Sequence, residues 1–495
     1  MVEHPTPRRF PVLWQLNART TITTLGPDAT LDDLDGSVLD QLVPLGVDWL
    51  YLLGVWQTGT AGREVSRHRP DIRHACDEAL PDLTEADICG SCFAITAYRV
   101  HPRLGGEEAL ARFRSRLAER GTSLMLDFVP NHTALDHPWV SEHPDRYIEG
   151  GPDDLADAPA NWCRLSVAGV ERVFAYGRDP YFAGWPDTLQ LDYSQASLQA
   201  AMKAELAEIA GQCDGVRCDM AMLLLPDVFE RTWGRTMPPF WPDALASVRA
   251  AHPGFVFMAE VYWDREFDLQ QQGFDFTYDK RLYDRLVSDP RSVQGHLHAA
   301  PDYQARSARF LENHDEPRAA TVFGVGDRHR AAAVLTYLSP GLRFLQDGQR
   351  EARRVHTPVH LCRAPDEPDH GELTDFYDRL LAILIEEPVV HDGRWQLLAT
   401  ERAWPENHSH QNLVASSWST ERGQLHWLVA TNLSPTSSQG YVRLPHPELA
   451  GQAWVLDDRL GPERYDRSGH ELLDRGLYLD LPPWGHNAFQ VQPAP

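Results

Sequence analysis

The chain is short of lysine, of cysteine and of long apolar runs. Only two of its 495 residues are lysines, Lys203 and Lys280, and acidic residues outnumber basic ones to give a net charge of −25. A negative charge of this size repels nucleic-acid phosphates and anionic lipid, so we expect neither as a partner. No apolar run reaches the roughly 18 residues of a transmembrane helix, and residues 1–19 lack the apolar core of a secretory signal.

Seven cysteines is a small and odd number for a chain of this length. Free thiols persist in a reducing compartment, so the count predicts a cytoplasmic protein. Cys89 and Cys92 form a Cys-x-x-Cys pair, with His74 and Cys76 upstream. Because a zinc site needs four ligands and a second pair of this kind is missing, we expect buried free thiols here, with a metal or redox function as the alternative.

Apolar runs of strand length alternate with segments of helical period over the first 350 residues. Residues 107–120, for example, place Leu110, Phe113 and Leu117 on one helical face. Eight strand-then-helix units in succession predict a (β/α)8 barrel with insertions, with a doubly wound open sheet as the alternative. The predicted strands are Val12–Asn17, Trp49–Val55, Ser123–Asn131, Gly215–Met220, Phe255–Val261, Phe274–Thr277, Arg309–Asn313 and Leu342–Asp347.

Two segments depart from this alternation and predict further domains. Residues 133–187 carry loop residues and scattered aromatics with little helical or strand period, which indicates a small insertion domain after strand 3. After a helix near 373–387 the chain turns to short strands separated by Gly and Pro, which is typical of an antiparallel β-sandwich. The predicted domains are a barrel of residues 1–132 and 188–390, the insertion 133–187 and a C-terminal β-sandwich of residues 391–495.

Charged residues stand at the ends of four predicted strands. Asp127 lies near the end of strand 3, Arg217 and Asp219 end strand 4, Glu260 ends strand 5 and Asp315 follows strand 7. The catalytic groups of (β/α)8 barrels lie at the C-terminal ends of the strands, so we expect these side chains to meet at one mouth. Packing does not explain them, because burial of an unpaired carboxylate costs several kcal/mol.

This group of residues suits cleavage of the acetal between two sugars, which needs one carboxylic acid and one carboxylate. Asp219 is the better nucleophile, because Arg217 lies two residues earlier on the same strand face and should keep the carboxylate ionised. Glu260 follows Phe-Met-Ala, an apolar setting that should raise the pKa of its carboxyl group and suit it to the acid role. The sugar hydroxyls are expected to be bound by Asp315, His132 and His314.

Four segments, in this order, resemble the motif set of the α-amylase family of retaining α-glycoside hydrolases and transferases. They are Asp127-Phe-Val-Pro-Asn131-His132, Gly215-Val-Arg217-Cys-Asp219, Glu260 after strand 5 and Asn313-His314-Asp315. The resemblance covers essentially the whole chain, including the insertion and the β-sandwich. It implies that Asp219 is the nucleophile, Glu260 the general acid/base and Asp315 the transition-state stabiliser. It also implies that the subsite of the cleaved sugar is lined by Arg217, His132 and His314, with Asp127 supporting Arg217.

Departures from the family pattern bear on sugar and metal binding. Met222 and Leu223 stand where starch-acting members often carry Lys-His, which puts the usual contact to a distal sugar in doubt and removes one member of the family's calcium site. Asn131, another member of that site, is present, so a structural calcium ion with Asn131 as a ligand stays open. The chemistry itself is expected to need no cofactor.

The loop after strand 2 departs from the pattern as well. Phe93 is expected to offer an aromatic platform under the sugar, with simple packing as the alternative. Ala94 replaces the Asp with which exo-acting α-glucosidases hold the non-reducing end, which favours an endo-acting or transferring enzyme. Three tryptophans of the insertion are further candidates for sugar contacts: Trp139, Trp162 and Trp185.

Together these features predict a retaining α-glycosidase that acts on α-1,4-linked glucans or malto-oligosaccharides by double displacement. The alternatives are an α-glucanotransferase or a trehalose- or sucrose-type transglycosylase, in which a sugar hydroxyl captures the same covalent intermediate. A non-catalytic sugar-binding subunit is a further alternative, but such a protein would be expected to lack one of the carboxylates. The sequence leaves the oligomeric state undetermined.

Overall fold

The barrel predicted from the sequence is closed. The computed structural model describes residues 8–34 and 36–495 and shows eight parallel strands that pair in chain order. The eighth strand pairs with the first, from Val12 opposite Arg343 to Gln15 opposite Gln346, which excludes the open sheet. Numbered 1 to 8, the strands are Val12–Asn17, Trp49–Leu53, Ser123–Phe128, Gly215–Cys218, Val256–Ala259, Phe276–Tyr278, Ser307–Arg309 and Leu342–Gln346. Residues 1–7 of the predicted barrel domain lie outside the described residues.

Helices cover the outside of the barrel, so the strands are buried on both their inner and their outer faces. Strand 2 therefore reads as the uninterrupted apolar run Trp-Leu-Tyr-Leu-Leu, of which four residues are buried. The helices of the first three units are Ala18–Leu25, Gly36–Leu42, Thr60–His68, Pro70–Ala79, Gly106–Ala118 and Ala196–Gln212. Those of the later units are Pro226–Trp233, Trp241–Ala251, Glu266–Gln271, Lys280–Ser288, Val293–Leu297, Pro301–Ala305, Ala319–Val322, Asp327–Tyr337, Gly371–Glu386 and Val389–Asp392.

The position predicted for strand 7, Arg309–Asn313, is wrong. The strand is Ser307–Arg309, and the apolar residues Phe310 and Leu311 follow it as a buried turn toward the barrel mouth. Arg309 belongs to the strand because it pairs with Arg343 in the ladder, and its buried guanidinium is neutralised by Asp279, with Nε 3.1 Å from a carboxylate oxygen. An apolar run indicates burial but not strand pairing, so the predicted strand begins and ends too late in the chain.

The insertion after strand 3 contains more regular structure than the sequence predicts. Strands Trp162–Val167 and Val170–Ala175 form an antiparallel hairpin that Glu149–Gly150 extends, and His132–Ala134 pairs with Thr188–Gln190. The hairpin turns at Ala168-Gly169, where both residues have positive φ, 50° and 81°. An Ala at such a position carries none of the Asn-Gly or Asp-Gly signal of a two-residue turn, which explains why the hairpin was missed. Two short helices complete the segment, Trp139–Glu142 and Pro152–Asp157.

The C-terminal segment forms the predicted antiparallel β-sandwich. One sheet has six strands and the other has three, and an apolar cluster that includes Trp454 and Phe489 fills the space between them. The indole of Trp418 donates to the carbonyl of Leu338 at 2.8 Å, which ties the sandwich to the barrel. The strands are Arg394–Leu398, Thr400–Glu401, Leu413–Ser419, Leu425–Asn432, Ser438–Val442, Ala453–Asp458, Arg464–Ser468, Leu477–Leu481 and His486–Pro493.

Among the described residues, no helix combines the length and the apolar character needed to cross a membrane.

Candidate active site

The charged side chains predicted to meet do so at the C-terminal mouth of the barrel. Asp127 and Arg217 lie in strands 3 and 4 and are paired in register, and Asp219 and Glu260 directly follow strands 4 and 5. The backbone N–H groups of Asp219 and Glu260 still donate to carbonyls of the adjacent strands, at 2.9 and 3.0 Å. Both carboxylates are therefore fixed by the barrel itself.

The guanidinium of Arg217 lies at the centre of four carboxylates. Its Nη1 is 2.8 Å from Asp219 Oδ1 and 3.3 Å from Asp127 Oδ1, and its Nη2 is 2.8 Å from Glu260 Oε2 and 3.9 Å from Asp315 Oδ2. Its side chain is only 1% exposed. Burial alone would lower the pKa of Arg217, but the charge of Glu260 and of its other neighbours raises that pKa well above the ordinary value. The cation is therefore permanent and holds the carboxylates in place.

Asp219 and Glu260 differ in the pH at which they lose a proton. Burial raises the pKa of Glu260 to about 8, with the charges of Asp219 and Asp315 adding to the effect and Arg217 opposing it. Burial also raises the pKa of Asp219, but only to about 6. Arg217 does lower the pKa of Asp219, as the sequence predicted, but the expected net depression is wrong because burial outweighs that contact. At neutral pH one carboxyl is mostly ionised and the other mostly protonated.

Two donors that the sequence did not reveal fix the position of Glu260. The backbone N–H of Met220 lies 2.7 Å from Oε2, and the hydroxyl of Tyr262 lies 3.0 Å from Oε1. Met220 has φ 43° and ψ 44°, a left-handed conformation that is unusual for a side chain of this size. Because Oε2 also accepts from Arg217, the proton of the neutral carboxyl group belongs on Oε1, beside Tyr262.

Asp127 supports Arg217 from the barrel interior. Its Oδ1 accepts from the hydroxyl of Tyr51 at 2.7 Å, and its backbone carbonyl accepts from the indole of Trp56 at 2.8 Å. Burial raises the pKa of Asp127 to about 6, whereas Arg217 and Tyr51 lower it. The sequence did not single out Tyr51, since a tyrosine within an apolar strand reads as core; its hydroxyl in an otherwise apolar run was the available signal.

Asp315 reaches the mouth from a loop rather than from a strand end. The side chain of Asn313 accepts from the backbone N–H groups of Asp315 and Glu316, both at 2.9 Å, and this turn fixes the loop. With 43% of its side chain exposed, Asp315 is the most solvent-accessible of the four carboxylates around Arg217.

His314 is held as a neutral imidazole. Burial lowers its pKa to about 4, and the side-chain nitrogen of Gln15 lies 2.7 Å from its Nδ1. With Gln15 as the donor, the proton of His314 is on Nε2, which lies 3.1 Å from Asp315 Oδ2 yet forms no hydrogen bond of good geometry. Within the described residues, that buried N–H has no hydrogen-bond partner.

Aromatic rings form the wall beside His314. The ring of Phe93 is 5.4 Å from the His314 ring and 5.2 Å from Cζ of Arg217. His132 is buried, which lowers its pKa to about 3, and its ring is 5.2 Å from that of Trp185. The structure therefore brings the predicted residues Phe93 and His132 to the site, together with one of the three candidate tryptophans.

The other two tryptophans of the insertion have packing contacts instead. The guanidinium of Arg146 lies 4.3 Å above the ring of Trp139. Trp162 covers Gly150, where an added Cβ would come within 2.6 Å of the indole.

Comparison with known proteins supports the family resemblance. A sequence model described as "Alpha amylase, catalytic domain" matches residues 39–163. Over those residues the chain is similar to the catalytic domain of α-amylases. "Alpha-amylase 3" of Dictyoglomus thermophilum is 22% identical over 285 residues, which are 54% of this chain and 55% of that protein. An α-1,4-glucan:maltose-1-phosphate maltosyltransferase of Burkholderia pseudomallei is 25% identical over 384 residues, which are 74% of this chain and 28% of that protein. The matches thus span about half of the first relative and less than a third of the second.

The α-amylase-family fold extends over nearly the whole chain. A maltogenic α-amylase, AmyB, from Thermotoga neapolitana superimposes with a TM-score of 0.68 at 16% identity, covering 98% of this chain and 99% of that chain. An α-amylase from H. orenii does so with the same TM-score at 18% identity, covering 98% and 100%. At these identities the likeness establishes the fold.

Asn131, the candidate calcium ligand, is hydrogen-bonded within the protein. The side chains of Asn131 and Gln190 are paired, with Asn131 Oδ1 accepting from Gln190 Nε2 at 3.0 Å and Asn131 Nδ2 donating to Gln190 Oε1 at 3.2 Å. Oδ1 of Asn131 therefore already accepts one hydrogen bond. Within residues 8–34 and 36–495, no three or more His, Cys, Asp or Glu side chains are grouped to hold a metal ion. Met222 and Leu223 are buried in a short 3-10 helix, so their side chains do not replace the sugar contact of the Lys-His pair.

A cleft of about 310 Å³ is lined by Met220 and Tyr262, the two residues that donate to Glu260, and by Trp263. It is bounded by the insertion on one side and by the loop after strand 5 on the other. Phe182 of the insertion is 70% exposed, and Tyr181 packs edge-on against Trp263 with ring centres 4.9 Å apart. Exposed aromatic faces in a cleft of this kind are suited to stacking on sugar rings.

Proposed function

We propose that the chain is a retaining α-glycosidase that cleaves α-1,4-linked glucans or malto-oligosaccharides by double displacement. The observation that carries the proposal is the pair of buried carboxyl groups joined by Arg217, with a pKa of about 6 for Asp219 and about 8 for Glu260. This difference provides one carboxylate and one carboxylic acid at neutral pH, which are the two forms that the first step needs.

In the first step, Glu260 gives its proton to the glycosidic oxygen while Asp219 attacks the anomeric carbon. Arg217 holds Oδ1 of Asp219, so we assign the attack to Oδ2. The bond between the anomeric carbon and the leaving oxygen breaks, and a covalent glycosyl ester forms on Asp219. The leaving sugar departs with the proton that Oε1 of Glu260 carried.

In the second step, Glu260, now ionised, removes a proton from a water molecule that attacks the same anomeric carbon. The ester bond breaks and Asp219 is restored as a carboxylate. Two inversions at one carbon give net retention of configuration. The guanidinium of Arg217 supports both steps, because it remains charged whichever carboxyl group is protonated.

The remaining residues of the mouth are proposed to bind and distort the reacting sugar. Asp315 and the free Nε2–H of His314 are aimed at hydroxyls of the ring, and Phe93 provides an apolar face below it. His132 contributes a further neutral donor. Asp127 positions Arg217 and does not touch the sugar.

The substrate class is supported by the names of the relatives. They include α-amylases, a maltase and α-1,4-glucan:maltose-1-phosphate maltosyltransferases. The maltosyltransferases among them favour transglycosylation as the second candidate, in which a sugar hydroxyl takes the place of water. The aromatic cleft beyond Tyr262 would hold that acceptor.

We further propose that the enzyme works in the cytoplasm and needs no cofactor for its chemistry. All seven cysteines are free thiols, which supports a reducing compartment. The side chains of the mouth supply the acid, the base and the nucleophile by themselves. Activity should therefore survive exhaustive treatment with a chelator; loss of activity that calcium restores would overturn the cofactor proposal.

A product profile from pure maltoheptaose tests the proposed function. Asp219→Asn serves as the blank, since it keeps the shape of the site and removes the nucleophile. Hydrolysis gives only shorter sugars, and transfer gives a ladder that extends above seven units. No conversion of maltoheptaose or of shorter maltosides by folded wild-type protein would contradict an α-1,4-glucan substrate.

A further inference from the structure

A small lobe beside the barrel mouth has its own apolar cluster. Helices Thr60–His68 and Pro70–Ala79 pack on the segment 80–92, which pairs with the segment 355–363 that follows strand 8. Five buried residues form a cluster separate from the barrel core: Cys76, Ala79, Leu80, Ile88 and Leu361.

Two cysteines lie diagonally across the ladder where these segments pair, on the same face of it. Ile88 and Leu361 face each other in an antiparallel bridge, flanked by hydrogen bonds from Cys89 N to the carbonyl of His360 and from Cys362 N to the carbonyl of Asp87, both 2.9 Å. Successive side chains in a strand point to opposite faces, so Cys89 and Cys362, which follow Ile88 and Leu361, both point to the face opposite that bridged pair. Cys89 and Cys362 therefore project together, and both line one cavity of about 390 Å³.

The cavity around this pair is positively charged. Nη1 of Arg19 lies 3.4 Å from the sulfur of Cys89 and 2.7 Å from the carbonyl of Gly90, which fixes the guanidinium against the thiol. Arg63 and Arg103 line the same cavity. A hydrogen bond from Cys362 and the charge of Arg19 lower the pKa of Cys89 to about 6. Cys89 thus carries the more reactive form of a thiol at neutral pH.

Cys92, the other member of the Cys-x-x-Cys pair, is a different kind of residue. It is 4% exposed, and burial raises its pKa far above the ordinary value. The expectation that Cys89 and Cys92 are both buried thiols is wrong for Cys89, which is only partly buried. The partner that the fold gives to Cys89 is Cys362, distant in sequence.

We propose that Cys89 and Cys362 form a redox-sensitive pair that a peroxide converts into an intramolecular disulfide. The thiolate of Cys89 attacks one peroxide oxygen, the O–O bond breaks, and hydroxide leaves and takes up a proton as water. The resulting sulfenic acid is attacked by the sulfur of Cys362, its S–O bond breaks, and a second water leaves. Two thiols and one hydrogen peroxide give one disulfide and two waters, and a thiol reductant reverses the change.

The cross-link would join two segments that both contact the proposed active site. Phe93, four residues after Cys89, lies against His314 and Arg217. In the other segment, Nε2 of His356 lies 2.8 Å from the backbone carbonyl of His314. Oxidation is therefore expected to restrict the lobe while leaving the carboxylates themselves unchanged.

Oxidation of the full chain followed by peptide mapping tests this proposal. The protein is titrated with hydrogen peroxide, remaining thiols are alkylated, and the digest is analysed by mass spectrometry without reduction. We expect loss of the mass of two hydrogens, a linked peptide containing Cys89 and Cys362, and full reversal by dithiothreitol. In Cys362→Ser, dimedone should trap a sulfenic acid on Cys89, whereas Cys163→Ser, at a partly exposed cysteine of the insertion, should behave as wild type.

The consequence of the cross-link is read from heat inactivation. The oxidised wild type should keep its activity several-fold longer at a fixed denaturing temperature than the reduced protein, and Cys362→Ser should show no gain on oxidation. Matching circular dichroism of the reduced proteins shows that the variants fold. A Cys89–Cys92 link, or oxidation that leaves Cys362 free to alkylate in the wild type, would overturn the proposal.

Discussion

The hydroxyl of Tyr262 lies 3.0 Å from Oε1 of Glu260, two residues earlier in the chain. Arg217 and the backbone of Met220 both donate to the other oxygen of the same carboxyl group, so Oε1 is the atom left to carry a proton. The proposed acid therefore presents its proton at a defined atom. Tyr262 also lines the cleft of about 310 Å³ in which we propose that the leaving sugar lies.

Replacement of Tyr262 by phenylalanine should shift the alkaline side of the pH profile. The hydroxyl donates to the carboxylate and favours its ionised form, so its loss raises the pKa of Glu260. Since the acid must be protonated, the alkaline limb of kcat/KM should move to higher pH by up to about one unit, the equivalent of one hydrogen bond. Tyr478→Phe, at an exposed site in the C-terminal sandwich, is the control. An unchanged limb would show that Tyr262 does not set the pKa.

The wild-type enzyme should show a bell-shaped dependence of kcat/KM on pH. The acid limb reports ionisation of Asp219, with a pKa of about 6, and the alkaline limb reports loss of the Glu260 proton at about 8. Because the two groups interact, the limbs belong to the pair. Initial rates on a maltoside from pH 4.5 to 9.5 measure both limbs. Constant activity up to pH 9.5 would be inconsistent with Glu260 as the acid.

Glu260→Gln should separate substrates by their leaving groups. A natural maltoside needs a proton on its leaving oxygen, so its turnover should fall by a factor of about 10² to 10⁴. An α-maltosyl fluoride needs no such proton, so formation of the ester on Asp219 should fall far less. Glu208→Gln, on the exposed face of Ala196–Gln212, is the matched control. Equal losses on both substrates would argue against the acid role.

The buried carboxylates should make the protein less stable as pH rises. The pKa of Asp219 is raised from 3.8 to about 6 and that of Glu260 from 4.5 to about 8, so the folded state binds protons more tightly than the unfolded chain. The stability that these two protonated carboxyl groups contribute to the folded state is fully present below about pH 4 and is lost as the pH rises through 6 and 8.

Asp219→Asn removes one of these groups and should lessen that loss. Its free energy of unfolding at pH 8, relative to its value at pH 4.5, should exceed the wild-type difference by about 2 kcal/mol. Urea denaturation at the two pH values measures this, with Glu208→Gln as the control. An equal change in the free energy of unfolding between the two pH values for Asp219→Asn and wild type would mean that burial does not destabilise the Asp219 carboxylate.

The fold was largely predictable because its main elements are local patterns in the chain. Strand 1 was predicted with the bounds it has, and carboxylates after apolar strands marked the mouth, since barrel geometry brings strand ends together. Strand 7 was misplaced because a buried turn has the same apolar composition as a strand. The hairpin of the insertion was missed because Ala168 gives no turn signal.

The parts of the site that escaped prediction depend on contacts between distant residues. From the sequence, Tyr51 is interpreted as a core residue; only the structure shows that its hydroxyl is hydrogen-bonded to Asp127. Likewise, Gln15 is interpreted as a polar interruption of strand 1, and only the structure shows that it is hydrogen-bonded to His314. Cys89 and Cys362 line one cavity, and no spacing rule connects residues so far apart in the chain. The burial of Asp219 depends on the whole fold and cannot be inferred from neighbouring residues, yet it raises the pKa of Asp219 by more than Arg217 lowers it.

The central claim is that Asp219 forms a covalent ester with the cleaved sugar while Glu260 supplies the proton. The most direct measurement is mass spectrometry of the Glu260→Gln variant after incubation with α-maltosyl fluoride. This variant can still form the ester, but it has lost the residue that activates water for hydrolysis of the ester. The account predicts a protein heavier by one maltosyl unit, with the added mass on the peptide that contains Asp219. Consumption of the fluoride with no adduct, or an adduct on another carboxylate, would contradict it.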